Sequence, residues 1–333
     1  MTRSATPLDG VDLVLADLDG VIYRGPDAIP HAVESINQAT ESARVGYITN
    51  NASRTDASVA SHLSSLGLRV EPTDVVTSPQ AAVRLLAEHV PAGSTILVVG
   101  GEGLTHEVEL GGFTVTRSAL DEPAAVIQGF APEVGWTQLA EAAFALQAPN
   151  DSRLWVATNT DWTIPQARGT APGNGTLVSA VHTAIGRLPL VAGKPETPMF
   201  TLAIERFGAQ NVLVIGDRLD TDILGANRAE LESAFVLTGI DGKKQVLAAA
   251  PDQRPTYILE DLRQLHEPYP VTVEKKKRDA TITTVGAASV SLSGEKIEIV
   301  SGSGIDLVRA GAAAIWNSGI PIYGLRVPAE LYS

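Results

Sequence analysis

Short apolar runs that stop abruptly at polar side chains recur through this chain, and they restrict it to an open α/β sheet. The first, Val11 to Ala16, is rich in Val and Leu and leads straight into Asp17-Leu18-Asp19-Gly20. Such a run reads as a strand buried on both faces of a parallel sheet. Open α/β sheets bind ligands at the carboxyl ends of their strands, where Asp17 and Asp19 fall. Taken alone, the pair fits a turn at Asp19-Gly20, with Asp17 held by backbone amides, as well as it fits a site. A calcium loop fits less well, because apolar Val21 and Ile22 follow where an EF-hand needs a further oxygen ligand and then a glycine.

Three later segments repeat the pattern. Val45-Gly46-Tyr47-Ile48 ends in Thr49-Asn50-Asn51, Leu190 to Gly193 ends in Lys194-Pro195, and Val214-Ile215-Gly216 ends in Asp217-Arg218-Leu219-Asp220-Thr221-Asp222. Singly these fit an ordinary turn, a surface lysine and a capped helix start. Four such endings at successive strands point instead to one site. Unit charges about 4 Å apart repel by roughly 4 kcal/mol at an effective dielectric of 20. Asp17, Asp19 and Asp217 sharing a cleft would therefore resist full ionisation unless a cation joined them. All-oxygen ligation suits Mg²⁺, with Mn²⁺ or Co²⁺ as substitutes, and the absence of cysteine makes zinc a poorer match.

Composition narrows the partners. With 333 residues, 44% of them apolar, the chain supports two or three compact units. A net charge of −13 argues against nucleic acid, whose phosphates need Lys and Arg. It leaves room for a small anion, since a divalent cation and one lysine can outweigh the global field inside a cleft. No stretch approaches a membrane span, no apolar leader opens the chain and no cysteine is present, so a cytoplasmic location without membrane contact is expected.

Along the chain, a βαβα pattern over residues 12–84 is followed by a second α/β set between 94 and 187, after which buried strands resume at Val212 and Ala234. An insertion within a parent domain explains this order. Ser78 and Pro79 suit a helix N-cap and first turn. After Pro270 the charge run Glu274 to Asp279 reads as a solvated turn or linker. Residues 280–286, 289–292 and 296–300 then alternate like antiparallel strands, 305–316 looks helical, and 320–327 could close a small sheet.

The ordered set Asp17-Leu18-Asp19, Thr49, Lys194 and Gly216-Asp217 with a further Asp resembles the haloacid dehalogenase superfamily over about residues 10–265. More narrowly, Asp19 to Gly25, Thr49-Asn50-Asn51 and Gly216 to Asp222 resemble its NagD-like branch, which includes phosphoglycolate and 4-nitrophenyl phosphate phosphatases. The resemblance implies a doubly wound, parallel-sheet, Rossmann-like core over 1–83 and 188–268. An inserted α/β cap would occupy 84–187, and a small α+β extension 271–333. It implies that Asp17 is the nucleophile and Asp19 the acid and base. Thr49, Asn50 and Asn51 would bind the phosphoryl group and Lys194 would neutralise it. Asp17, Asp19 and Asp217 would hold Mg²⁺, with Asp222 behind them. A carboxylate at Asp19 looks like a phosphatase or mutase, and the large cap points away from mutases.

Specificity should then lie in cap loops, for which Asn159, Asp161 and Trp162 are the candidates, although Trp162 fits cap packing equally well. With its tail the whole chain is similar to actinobacterial glycerol 3-phosphate phosphatases, which implies that substrate first. Phosphoglycolate, aryl phosphates, pyridoxal phosphate and sugar phosphates are the alternatives, and a catalytically silent binding protein is the different class. The tail of those relatives is described as related to acetyltransferases, yet no glycine spacing for a coenzyme A pyrophosphate follows Pro270 here. A docking or stabilising role is expected of it. Cap-mediated dimers in relatives make a homodimer an option.

Overall fold

The opening apolar run forms the strand Leu13–Ala16, with all four residues buried. In this computed structural model, which describes residues 5–147, 149, 152–166 and 168–333, the chain divides into two units. One is built from the segments before Gly46 and after Gly208, the other from Gly46–Gly208. The expected inserted region 84–187 falls inside the second unit, and the expected extension 271–333 inside the first.

In the first unit Leu13–Ala16 pairs in parallel with Val212–Gly216, Leu13 opposite Val212 and Ala16 opposite Ile215. Val212–Gly216 pairs with Glu232–Val236, and that strand with Tyr257–Leu259, again in parallel. Parallel neighbours cannot be joined by a tight turn, so their carboxyl ends share one edge. Asp17 and Asp217 each follow the last residue of their strand, and the Asp17 N–H still donates to the Ile215 carbonyl at 2.8 Å.

The tail belongs to this unit. Its antiparallel sheet runs Thr272–Lys276, Thr281–Val285, Ala288–Ser293, Lys296–Ser301. Thr272–Lys276 is thus a strand, although the charge run beginning at Glu274 reads as a linker. It is an edge with every residue exposed, where lysines are favoured because they deter pairing with other chains. Helix Gly304–Ser318 buries Leu307, Val308, Ala312, Ala314 and Ile315 against the sheet and the parallel strands. The stretch 320–327 is a 3₁₀ turn at Ile322–Gly324 and one bridge between Lys296 and Arg326, not a full strand. Pro321 and Pro328 lack the N–H groups a ladder requires. Arg309 fixes the tail to the strands: its guanidinium donates to the Ile258 carbonyl at 2.8 Å, Gln264 Oε1 at 2.9 Å and Asp306 Oδ1 at 3.0 Å, and lies 4.5 Å from the Tyr269 ring centroid.

In the second unit the strand Arg44–Thr49 continues from the first, with Tyr47 opposite Val75 and Thr49 opposite Thr77 in parallel. A five-stranded parallel sheet follows, in the order Leu190–Val191, Leu154–Ala157, Ala125–Gln128, Thr95–Val99, Thr114–Thr116. Helices Trp136–Leu146 and Asn174–Ile185 pack on it around Val126, Trp155, Val178 and Val181. The antiparallel hairpin Thr163–Gln166 with Gly169–Pro172 was not legible, because Pro165 interrupts the strand pattern. Helix Ser78–Ala87 is capped by Thr77, not Ser78: Thr77 Oγ1 accepts the Gln80 N–H and Gln80 Oε1 accepts the Thr77 N–H, both at 3.4 Å.

Candidate active site

In the first unit the strand ends gather three carboxylates. Asp17, Asp217 and Asp222 each bring an oxygen within 4.8 Å of the others. Asp217 and Asp222 are both 1% exposed, and Asp17 is partly exposed. Hard oxygen donors at this spacing are the chemistry of a Mg²⁺, Mn²⁺ or Ca²⁺ site. The membership differs from the sequence expectation. Asp222, expected to stand behind the metal, is in the group, while the exposed Asp19 carboxylate is outside it. The reason is a tight turn at Leu219–Ile223 with π-type bonding, in which the Asp222 and Ile223 amides both donate to the Arg218 carbonyl. This draws Asp222 back under the strand, where its Oδ2 accepts the Arg218 N–H at 3.1 Å.

A second loop cradles Asp217. Its Oδ2 accepts the Ile240 N–H at 2.6 Å, and its carbonyl accepts the Asp241 N–H at 3.3 Å. Asp241 Oδ2 in turn accepts the Leu219 N–H at 2.8 Å, and burial pushes this carboxyl above the usual range despite that bond. The approach is so close that a methyl at Gly239 would lie 1.8 Å from Asp217 Oδ2, and one at Gly20 2.3 Å from the same atom. Gly20 also has φ +83°, which glycine alone adopts at no cost. Thr238 Oγ1 donates to the Gly20 carbonyl at 2.7 Å, tying the two loops together. None of Gly239, Ile240 and Asp241 carries a sequence signal, since their roles rest on backbone placement.

In the second unit a separate cluster centres on Asn50. Its Oδ1 accepts the Lys194 N–H at 2.9 Å, and its Nδ2 donates to the Lys194 carbonyl at 3.0 Å and to both Asp161 oxygens at 3.2 Å. The Asn50 carbonyl accepts from Asn159 Nδ2 at 2.7 Å and Ser78 Oγ at 2.8 Å. Asn159 Oδ1 accepts the Asp161 N–H at 3.2 Å, and Asn174 Nδ2 donates to the Asn159 carbonyl at 2.7 Å. Thr49 and Lys194 are both 3% exposed. Thr49 Oγ1 accepts the Asn51 N–H at 3.1 Å, while Asn51 Oδ1 accepts from the Ser53 amide and hydroxyl. Asn50, Lys194, Asn159 and Asp161 are thus brought together, and Ser78 and Asn174 are additions. Trp162 is 65% exposed, and its carbonyl accepts from the Gly173 N–H and Thr176 Oγ1.

Parallel strands that end in a carboxylate cluster, with a second α/β unit set into the chain between the first two of them, define a class. The chain belongs to the haloacid dehalogenase-like hydrolases. That family's model matches residues 14–114, and a HAD-hydrolase-like model matches 191–265. The chain is 43% identical over 310 residues to the D-glycerol 3-phosphate phosphatase of Mycobacterium tuberculosis, covering 92% of this chain and 86% of that one. A glycerol phosphate phosphatase structure from that organism, in complex with magnesium, aligns with TM-score 0.84 at 39% identity, covering 95% and 93% of the two chains. The p-nitrophenyl phosphatase of Archaeoglobus fulgidus aligns with TM-score 0.69 at 26% identity, covering 77% of this chain and 98% of that one.

Proposed function

We propose that the chain is a Mg²⁺-dependent phosphatase of small phosphomonoesters, D-glycerol 3-phosphate first. The observation that carries this reading is the group of three carboxylate oxygens from Asp17, Asp217 and Asp222 at the strand ends. The named activity of the relative from M. tuberculosis supports the choice of substrate.

In the proposed reaction a carboxylate oxygen of Asp17 attacks phosphorus and the P–O bond to the alcohol breaks, leaving an aspartyl phosphate. Asp19 gives its proton to the departing alkoxide oxygen. It then takes a proton from the water that attacks phosphorus, so that Asp17 is restored and inorganic phosphate leaves. The exposure of Asp19 suits a group that must exchange protons with a leaving alcohol and with water. Asp17, Asp217 and Asp222 would hold the cation, which when bound neutralises charge on the phosphoryl oxygens. The Lys194 ammonium adds positive charge to the transferring group, Thr49 and Asn51 bind its oxygens, and Asn50 holds Lys194. Residues 84–187 serve as the cap, from which Asn159 and Asp161 bind the substrate. Trp162, exposed beside them, contacts the alcohol portion.

Among the described residues no helix is long and apolar enough to cross a membrane. A cytoplasmic location, a homodimer, no nucleic-acid partner and replacement of Mg²⁺ by Mn²⁺ or Co²⁺ belong to the same proposal. Phosphate release from D- and L-glycerol 3-phosphate, phosphoglycolate, pyridoxal phosphate, a sugar phosphate and 4-nitrophenyl phosphate, with and without Mg²⁺, tests it. The expected result is metal-dependent turnover highest on D-glycerol 3-phosphate. Equal turnover with excess chelator would refute the metal role, and a higher kcat/KM on another ester would refute the substrate.

A further inference from the structure

The loop that grips Asp217 leads directly into helix Lys243–Leu247, only five residues long. A helix this short has no stability of its own and must be held by packing. The tail supplies that packing. Val246 and Leu247 lie in one apolar cluster with Val285, Val290, Leu307, Val308, Ile315 and Leu331. A methyl added at Gly311 of helix Gly304–Ser318 would lie 2.8 Å from a Leu331 methyl and 3.4 Å from a Leu247 methyl. At the start of the short helix Lys243 Nζ donates to the Ser333 carbonyl at 2.7 Å, and the Lys244 ammonium sits 6.0 Å from the Tyr332 ring centroid.

Two residues of the acidic turn reach the same cluster. Leu219 and Ile223, which bracket Asp220 to Asp222, are 4% and 0% exposed within it. The short helix thus packs with tail residues and follows in the chain from Ile240 and Asp241, which bond Asp217 and the Leu219 N–H. Both matched family models end before the tail, at residues 114 and 265.

We infer that the tail is a positioning element for the cation site: by clamping helix Lys243–Leu247 it fixes the distance between Asp217 and its two carboxylate partners, and so sets divalent-cation affinity. Gly311 and Leu331 are the positioning residues. Neither is placed in the catalytic machinery, and their effect passes through Leu247 to Ile240 and Asp241. This inference rests on the proposed metal-dependent reading.

The test uses the full chain. Mg²⁺ is titrated calorimetrically, without substrate, into the parent, Gly311→Val and Leu331→Ala, with circular dichroism and urea melts confirming that each is folded. Gly311→Val wedges the clamp apart, and Leu331→Ala removes its filling, so a folding failure in one leaves the other to report. Disturbing the outer support of a metal site costs about tenfold or more in affinity. The expected result is a rise of about tenfold in the Mg²⁺ dissociation constant, with kcat restored to the parent value at saturating Mg²⁺. A loss of packing alone would lower the urea midpoint and leave the Mg²⁺ constant where it was, which overturns the inference. Absence of Mg²⁺ binding to the parent would instead overturn the metal-dependent reading on which it rests.

Discussion

Asn50 clasps the backbone of Lys194 with both ends of its carboxamide, Oδ1 accepting the lysine N–H at 2.9 Å and Nδ2 donating to its carbonyl at 3.0 Å. The side chain expected from sequence to bind a phosphoryl group thus also holds the Lys194 backbone, and its Nδ2 reaches Asp161 as well.

Removing the clasp takes two hydrogen bonds from the Lys194 backbone, each worth roughly 0.5–1.5 kcal/mol net. If that loss falls on the transition state, Asn50→Ala is expected to lower kcat/KM by about 5- to 150-fold, at about tenfold per 1.36 kcal/mol. Asn50→Asp keeps the acceptor but places a carboxylate against Asp161, and it should not restore activity. Steady-state kinetics on both variants decide the matter, and parent-like kinetics in Asn50→Ala would show the clasp to be dispensable.

The cradle around Asp217 makes its glycines unequal. At Gly239 and Gly20 a methyl would meet Asp217 Oδ2 at 1.8 and 2.3 Å, whereas Gly25, with φ +61°, has nothing within 4 Å of the added carbon. Gly239→Ala and Gly20→Ala should therefore abolish Mg²⁺-dependent turnover. Gly25→Ala should keep it and lose about 1 kcal/mol of stability, the cost of a left-handed alanine. Activity against Mg²⁺ concentration, with urea melts alongside, separates steric from conformational effects. Equal losses of activity in all three would contradict the cradle.

Glu107 is 8% exposed and its carboxyl is pushed above the usual range, chiefly by burial, against the opposing hydrogen bond from Gln80. A carboxyl raised on folding contributes stability that is complete below its unfolded value, near 4.3. That contribution is lost as pH rises through the folded value. Glu107→Gln can still accept from Gln80 but never ionises. Its stability relative to the parent should rise as pH climbs from about 4 through the folded value. Urea midpoints across that window report the sign, and a difference that does not change with pH would refute it.

Arg309 is 7% exposed and donates to three elements while lying over Tyr269. Arg309→Met keeps much of the stem but leaves the Ile258 carbonyl and Asp306 without their donor. The expected cost is about 3 kcal/mol, the low end for breaking a buried charge pair, because Asp306 keeps 25% exposure. A urea midpoint within error of the parent would show that the tail is held by its apolar cluster alone.

Where local chemistry dictates the outcome, the sequence was readable. Leu13–Ala16 and Val212–Gly216 are strands because unbroken Val and Leu runs bury both faces of a parallel sheet. Helix Gly304–Ser318 follows its apolar spacing. Thr272–Lys276 and Thr163–Gln166 were missed because an edge strand buries no face and a proline breaks the pattern. In the site, Asp17 and Asp217 were legible as carboxylates at strand ends. The Ile240 amide was not, because any residue supplies an N–H and only placement selects this one.

What the sequence by itself determined is which side chains stand at the strand ends, and so the family and the class of chemistry available to it. Only the tertiary structure decided that Asp222 joins Asp17 and Asp217 while Asp19 stays exposed, that Asn50 bonds the backbone of Lys194, and that the distant tail packs on the helix Lys243–Leu247. The physical reason is common to all three. Residue types set what a group can donate, accept or ionise, whereas distances of a few ångströms between segments far apart in the chain are set by the packing of backbone that carries no signature of its own.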